Sequence, residues 1–155
     1  LTLGAPSGPL GFICRKTDDA QPWFDSLAVP TVYPAFHVLS GLSRGAGAKL
    51  VDASSSNPQA VQCLAYRAAG GGTTLWLANL SAEPQSVRVG VAEGVAMIGA
   101  LLDEHSFELA TTQPQQFQQS WKPMGPRLRL EPYAVAVVAM NDPPSRNAQP
   151  KGKST

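Results

Sequence analysis

The sequence predicts a mainly β protein: an antiparallel β-sandwich of about seven or eight strands, preceded by a loop and one short helix. Two observations carry that expectation. Near residue 48 the apolar spacing changes from three and four to two, and short alternating segments then follow as far as residue 140, separated by turns rich in Gly, Pro and Ser. Composition adds a third. Hydrophobic residues make up 43% of a chain of 155, enough for a buried core, and no run of about 18 apolar residues offers a membrane span.

Residues 1–31 hold Gly, Pro and Asp around short apolar pieces such as Leu10 to Cys14, and read as a long loop. Pro34 suits a first helical position, and Val32, Phe36, Leu39 and Leu42 recur at spacings of four and three. One amphipathic helix over about 34–43 is expected, stopped by Gly41, Gly45 and Gly47.

Lys49 to Ser54 reads as a strand closed by the turn cluster Ser54 to Pro58. In Val61 to Arg67 both faces carry apolar weight, so partial burial on both sides is expected. Gly70-Gly71-Gly72 turns the chain into Thr74 to Asn79, a hairpin partner. Ser81 to Pro84 leads into Gln85 to Val91, where alternate valines predict one buried face, and Val95 to Leu102 is a further strand. Thr112 to Trp121 reads as loop with room for one turn of helix. Arg127 to Glu131 alternates again, and Ala134 to Met140, apolar on both faces, belongs inside a sheet. The tail 141–155 contains three prolines and no large apolar side chain, and is expected to be disordered.

Twelve Lys and Arg against eleven Asp and Glu leave a formal charge of +1, which recruits neither nucleic acid nor anionic lipid. No basic and apolar leader opens the chain, so a cytoplasmic setting is expected; the missing initiator Met points to a longer natural polypeptide. Cys63 sits in an apolar alternating run where a small buried thiol is simpler than a disulfide to Cys14.

Catalytic chemistry fails on residue types. There is no G-x-S-x-G elbow, and the candidate bases are His37, on the predicted helix, and His105. A helix-surface or core-edge role suits His37. Asp103, Glu104 and His105 are adjacent, but neighbours on an extended chain point to opposite faces, so at most Asp103 and His105 converge, too few ligands for a closed metal site. The glycine run 70–72 lacks the Lys of a phosphate loop. No cofactor and no metal are expected. Trp23, Trp76 and Trp121 are the rings on which a sugar would stack. Trp76 lies mid-strand and reads as core. Trp121, flanked by Gln118, Gln119 and Lys122, suits either a sugar platform or a cap over one end of the sandwich.

Tyr33 to Leu39, Gly47 to Val51, the hairpin Leu75-Trp76-Leu77-Ala78-Asn79-Leu80-Ser81-Ala82-Glu83-Pro84-Gln85, the segment Leu102-Asp103-Glu104-His105-Ser106-Phe107 and the strand Pro132-Tyr133-Ala134-Val135 occur in an order that resembles the C-terminal end of clan-A glycosidase-like proteins, most closely the D-apionate lactonase family. The resemblance implies a (β/α)₈ barrel that ends in its last helix and continues into a β-sandwich. Residues 1–47 would be the end of that barrel, 48–140 the sandwich, and some sandwich strands would come from residues before the barrel. It also implies that the paired carboxylates lie upstream, so no catalytic residue carries over. The loop before the helix would face the barrel's active site, where Asp18, Asp19, Trp23 and Asp25 would form a rim. Function follows as a non-catalytic accessory sandwich of a sugar-acid lactonase or glycosidase, packed on the barrel of its own polypeptide. A free-standing carbohydrate-binding module is the second reading, and a small independent hydrolase, needing His37 or His105 beside a Ser and an acid, the third.

Overall fold

The computed structural model describes residues 7, 11–14, 21–27 and 31–141; the expected disordered tail falls outside them, apart from Asn141. The elements are α1 (Pro22–Asp25), α2 (Ala35–Arg44), β1 (Lys49–Val51), β2 (Val61–Arg67), β3 (Thr73–Asn79), β4 (Gln85–Arg88), β5 (Ala96–Leu102), α3 (Phe107–Thr112), α4 (Pro114–Gln119), β6 (Lys122–Pro123), β7 (Arg127–Leu130) and β8 (Val135–Asn141). Among the described residues eight strands make two antiparallel sheets, one ordered β1-β2-β3-β8-β5-β6 and one of β4-β7. The strand alternation and the expected sandwich hold.

Register sorts the side chains by face. Val61, Ala65, Leu75, Leu77, Met97, Ala136 and Val138 point inward and meet Leu128 and Leu130 of the two-stranded ribbon, with Val87 and Val89 at its margin. Leu130 and Val138 are fully buried. The opposite face aligns Leu64, Trp76, Val137 and Ala100 across four strands, and is covered by helices instead of strands. Ala110 and Phe117 of α3 and α4 pack there on Ala100. β8 is therefore apolar on both faces because two different layers cover it.

Helix α2 lies on that second face in an unexpected way. The periodic residues Phe36, Leu39 and Leu42 are only partly buried, and the buried side chain of the helix is His37. Contact with the sheet is made at two glycines one turn apart. A Cβ on Gly41 would stand 2.3 Å from Cζ2 of Trp76, and one on Gly45 would stand 2.7 Å from the Tyr66 ring. Gly41 therefore acts as a seat inside α2, which runs to Arg44, and Gly45 caps it. The Tyr66 hydroxyl also donates to the Gly41 carbonyl at 3.2 Å.

Two further elements depart from the sequence reading. The loop before α2 contains α1, whose first turn Pro22 opens and whose Asp25 carboxylate accepts from the Gln21 amide at 2.7 Å. Phe107–Thr112 is helical: Asp103 Oδ1 accepts from the Ser106 amide and Ser106 Oγ from the Asp103 amide, both at 2.9 Å, which turns the chain into α3. The anticipated turn near 112–121 is α4, begun by Pro114.

Asn79, 2% exposed, knits the two layers. Its Nδ2 donates to the carbonyls of Glu83, Leu130 and Glu131 at 2.8, 3.3 and 2.9 Å, and its Oδ1 accepts from the Ser81 amide and hydroxyl at 2.9 and 2.7 Å. Beside this knot Tyr133 takes φ 56°, a left-handed conformation that costs a bulky residue roughly 1–3 kcal/mol.

Candidate functional site

Of the residues singled out from the sequence, Trp23 and Asp25 lie together on α1, and Trp121 follows α4. Asp18 and Asp19 lie outside the described residues. Trp23 on α1 is 40% exposed, its ring 5.0 Å from Phe24 and 4.9 Å from Phe107 by centroid. Its close ring neighbours among the described residues are aromatic. Trp76 is buried, as expected of a mid-strand residue. Trp121 is partly buried against the cluster of Ala100, Ala110 and Phe117 and lines the cleft beneath α2.

The two histidines lie in different surroundings. His105 is exposed on the turn before α3. His37 Nε2 lies 2.7 Å from the Ala110 carbonyl, which makes it the donor, and its ring meets Phe117 at 4.5 Å. A triad base needs a carboxylate on its other nitrogen, whereas His37 Nδ1 is buried with no hydrogen-bond partner among the described residues. Among the described residues no group of three or more His, Cys, Asp or Glu is placed to hold a metal ion. Both cysteines are free, and no helix there is long and apolar enough to cross a membrane.

Burial holds the His37 pKa below the ordinary histidine value, with the Ala110 hydrogen bond opposing weakly. The folded state therefore binds this proton less readily than the unfolded chain, and acid favours unfolding. Stability is fully present above about pH 6.5 and falls as the pH drops through the lower folded value. Denaturation midpoints measured from pH 8 to pH 5 should fall more steeply in the native protein than in H37Q. Parallel curves, or an NMR titration of His37 at or above the ordinary value, would contradict this.

Openings among the described residues include three near these groups. A cleft of about 450 Å³ separates the β1–β2–β3 inner face from β4, between Asp52–Asn57 and Gln85–Val91. β4 pairs only with β7, so its other edge has no strand partner among the described residues. A second cleft, of about 220 Å³, runs beneath α2 beside α4, where Arg44 Nη2 donates to Gln118 Oε1 at 2.8 Å. The third, about 350 Å³, lies at the N-terminal end of α2, between Pro34, Ala35, Phe107 and Tyr133. None brings a histidine together with a serine and a carboxylate. Asn79, Gly41 and Tyr133, which do most to shape the molecule, were visible in the sequence only as members of the hairpin, helix and terminal-strand motifs.

Residues 58–138, just over half of the chain, match the family model described as D-apionate lactonase, C-terminal immunoglobulin-like domain. The span runs from the turn before β2 into β8 and leaves α2 and β1 outside it. No curated protein matches the chain.

Proposed function

Since the chain belongs to the D-apionate lactonase family, through its C-terminal immunoglobulin-like domain, we propose that it is the non-catalytic accessory sandwich of a sugar-acid lactonase whose reacting groups lie in preceding residues. One observation carries this reading: residues 58–138, from the turn before β2 into β8, match the C-terminal immunoglobulin-like domain of that family. Residues 1–47 are then the end of a (β/α)₈ barrel and 48–140 the sandwich. The work of such a domain is mechanical, since it shields and braces a neighbour and adds cooperative stability.

The test is hydrolysis of a sugar-acid lactone, D-apionolactone first, followed in a pH-stat. The natural full-length polypeptide should turn it over and the 155-residue chain should not. Turnover by the 155-residue chain alone would end the accessory reading, and failure of the full-length polypeptide on any aldonolactone would end the lactonase reading.

A further inference from the structure

Beneath α2 the packing leaves two polar atoms unused. His37 and Trp76 are 7% and 8% exposed, and His37 Nδ1 and Trp76 Nε1 are buried with no hydrogen-bond partner among the described residues. A buried donor or acceptor left unmade is costly and uncommon, so two of them close together point to a missing partner. Trp76 Nε1 is bonded to Cε2, which stands 3.7 Å from the position a Cβ on Gly41 would take, and His37 lies one helical turn before Gly41. Both residues line the cleft of about 220 Å³ under the helix, whose walls also include Ala100, Phe117, Trp121 and Val137.

We propose that this cleft binds a small hydroxyaryl acid, with its phenolic hydroxyl between His37 and Trp76, its ring against the aromatic and valine walls, and its carboxylate at Arg44. The site goes beyond the accessory reading and does not depend on it. Donor and acceptor select the hydroxyl. His37 Nε2 donates to the Ala110 carbonyl, which leaves Nδ1 an acceptor, while the Trp76 indole N–H can only donate. One hydroxyl answers both, donating to His37 and accepting from Trp76. The surroundings select the ring. His37 meets the Phe117 ring at 4.5 Å and Trp76 is paired with Val137, so a polyol would bury further hydroxyls there unpaired. A single water, whose share of liquid volume is about 30 Å³, would bridge the nitrogens and leave most of the cleft empty. Arg44 selects the carboxylate. It follows His37 by two helical turns, about 10 Å along the axis, and lines the same cleft while exposed, with Nη2 given to Gln118 Oε1 at 2.8 Å. A phenol carrying a short alkanoic acid spans such a distance, and a guanidinium receives its carboxylate.

Isothermal titration calorimetry of the natural full-length polypeptide with para-hydroxyphenylpropanoate provides the test. Saturable binding is expected, and phenylpropanoate, which lacks the hydroxyl, should bind about tenfold more weakly for the loss of one buried hydrogen bond. R44Q should weaken the hydroxy acid about tenfold and leave para-cresol, which has no carboxylate, unchanged. In NMR spectra the indole N–H resonance of Trp76 should move downfield as the acid is added. W76F keeps an aromatic ring and drops the N–H, so it should reduce the preference for the hydroxyl; if W76F does not fold, the Trp76 resonance of the unmutated protein decides the same point. Equal affinity with and without the hydroxyl, or an unmoved Trp76 resonance, would overturn the site. So would the absence of saturable heat, which would leave the two nitrogens to a bound water. Lactone turnover, which tests the accessory reading, is indifferent to each of these outcomes.

Discussion

Asn79→Ala is expected to lower stability by about 3 kcal/mol: two good hydrogen bonds at about 1 kcal/mol each, plus a similar cost for carbonyls left buried. Two hydrogens on one Nδ2 serve the carbonyls of Glu83, Leu130 and Glu131, which end the β3–β4 and β7–β8 connections. The Glu83 carbonyl also accepts from the Ser81 hydroxyl at 3.0 Å and from Gln85 Nε2 at 3.5 Å, so the loss falls mainly on the Leu130 and Glu131 carbonyls. At 2% exposure water does not replace the lost donors. Asn79→Asp separates donor loss from cavity formation. The aspartate keeps the volume and the Ser81 contacts but turns an acceptor towards the same carbonyls, so it should cost at least as much as alanine. Urea denaturation gives both values. A loss under about 1 kcal/mol for either variant would show that the two connections are held by other means.

The same residue marks how far the sequence could be read. Alternation placed β2 at Val61–Arg67 and β8 to within one residue, because one-sided or two-sided burial leaves a period of two that needs no tertiary knowledge. It could not tell that β8's two faces meet different partners, a ribbon on one side and helices on the other. Helix α3 was missed because Phe-Glu-Leu-Ala-Thr-Thr is short and ends in two β-branched residues. What makes it helical is the Asp103–Ser106 exchange, with Thr111 Oγ1 returning to the Phe107 carbonyl at 2.8 Å. Of the candidate site residues, Trp76 and His37 went where a bland reading put them, into packing. Tyr133 was invisible as a candidate because nothing in Pro-Tyr-Ala announces a positive φ.

Glycine in α2 was read as a stop, and Gly41→Ala turns that misreading into a test whose sign is decisive. In a helix free of the sheet, alanine would stabilise by about 1 kcal/mol, since glycine is the poorer helix former. In α2 as packed, the new Cβ falls 2.3 Å from Cζ2 and 2.5 Å from Cη2 of Trp76, where carbon atoms normally stand about 3.5–4.0 Å apart. The indole cannot retreat easily. Trp76 is 8% exposed, and its backbone is fixed between Leu64 of β2 and Val137 of β8. The helix must lift instead, which lengthens the Tyr66 bond to the Gly41 carbonyl and draws His37 from the Ala110 carbonyl. Overpacking of this kind costs about 3 kcal/mol, so a net loss near 2 kcal/mol should remain after the propensity gain, and Gly41→Val should lose more. Tryptophan emission, carried partly by Trp76, should move to longer wavelength as the indole meets water. Stabilisation by Gly41→Ala with unchanged emission would mean that α2 does not rest on this sheet.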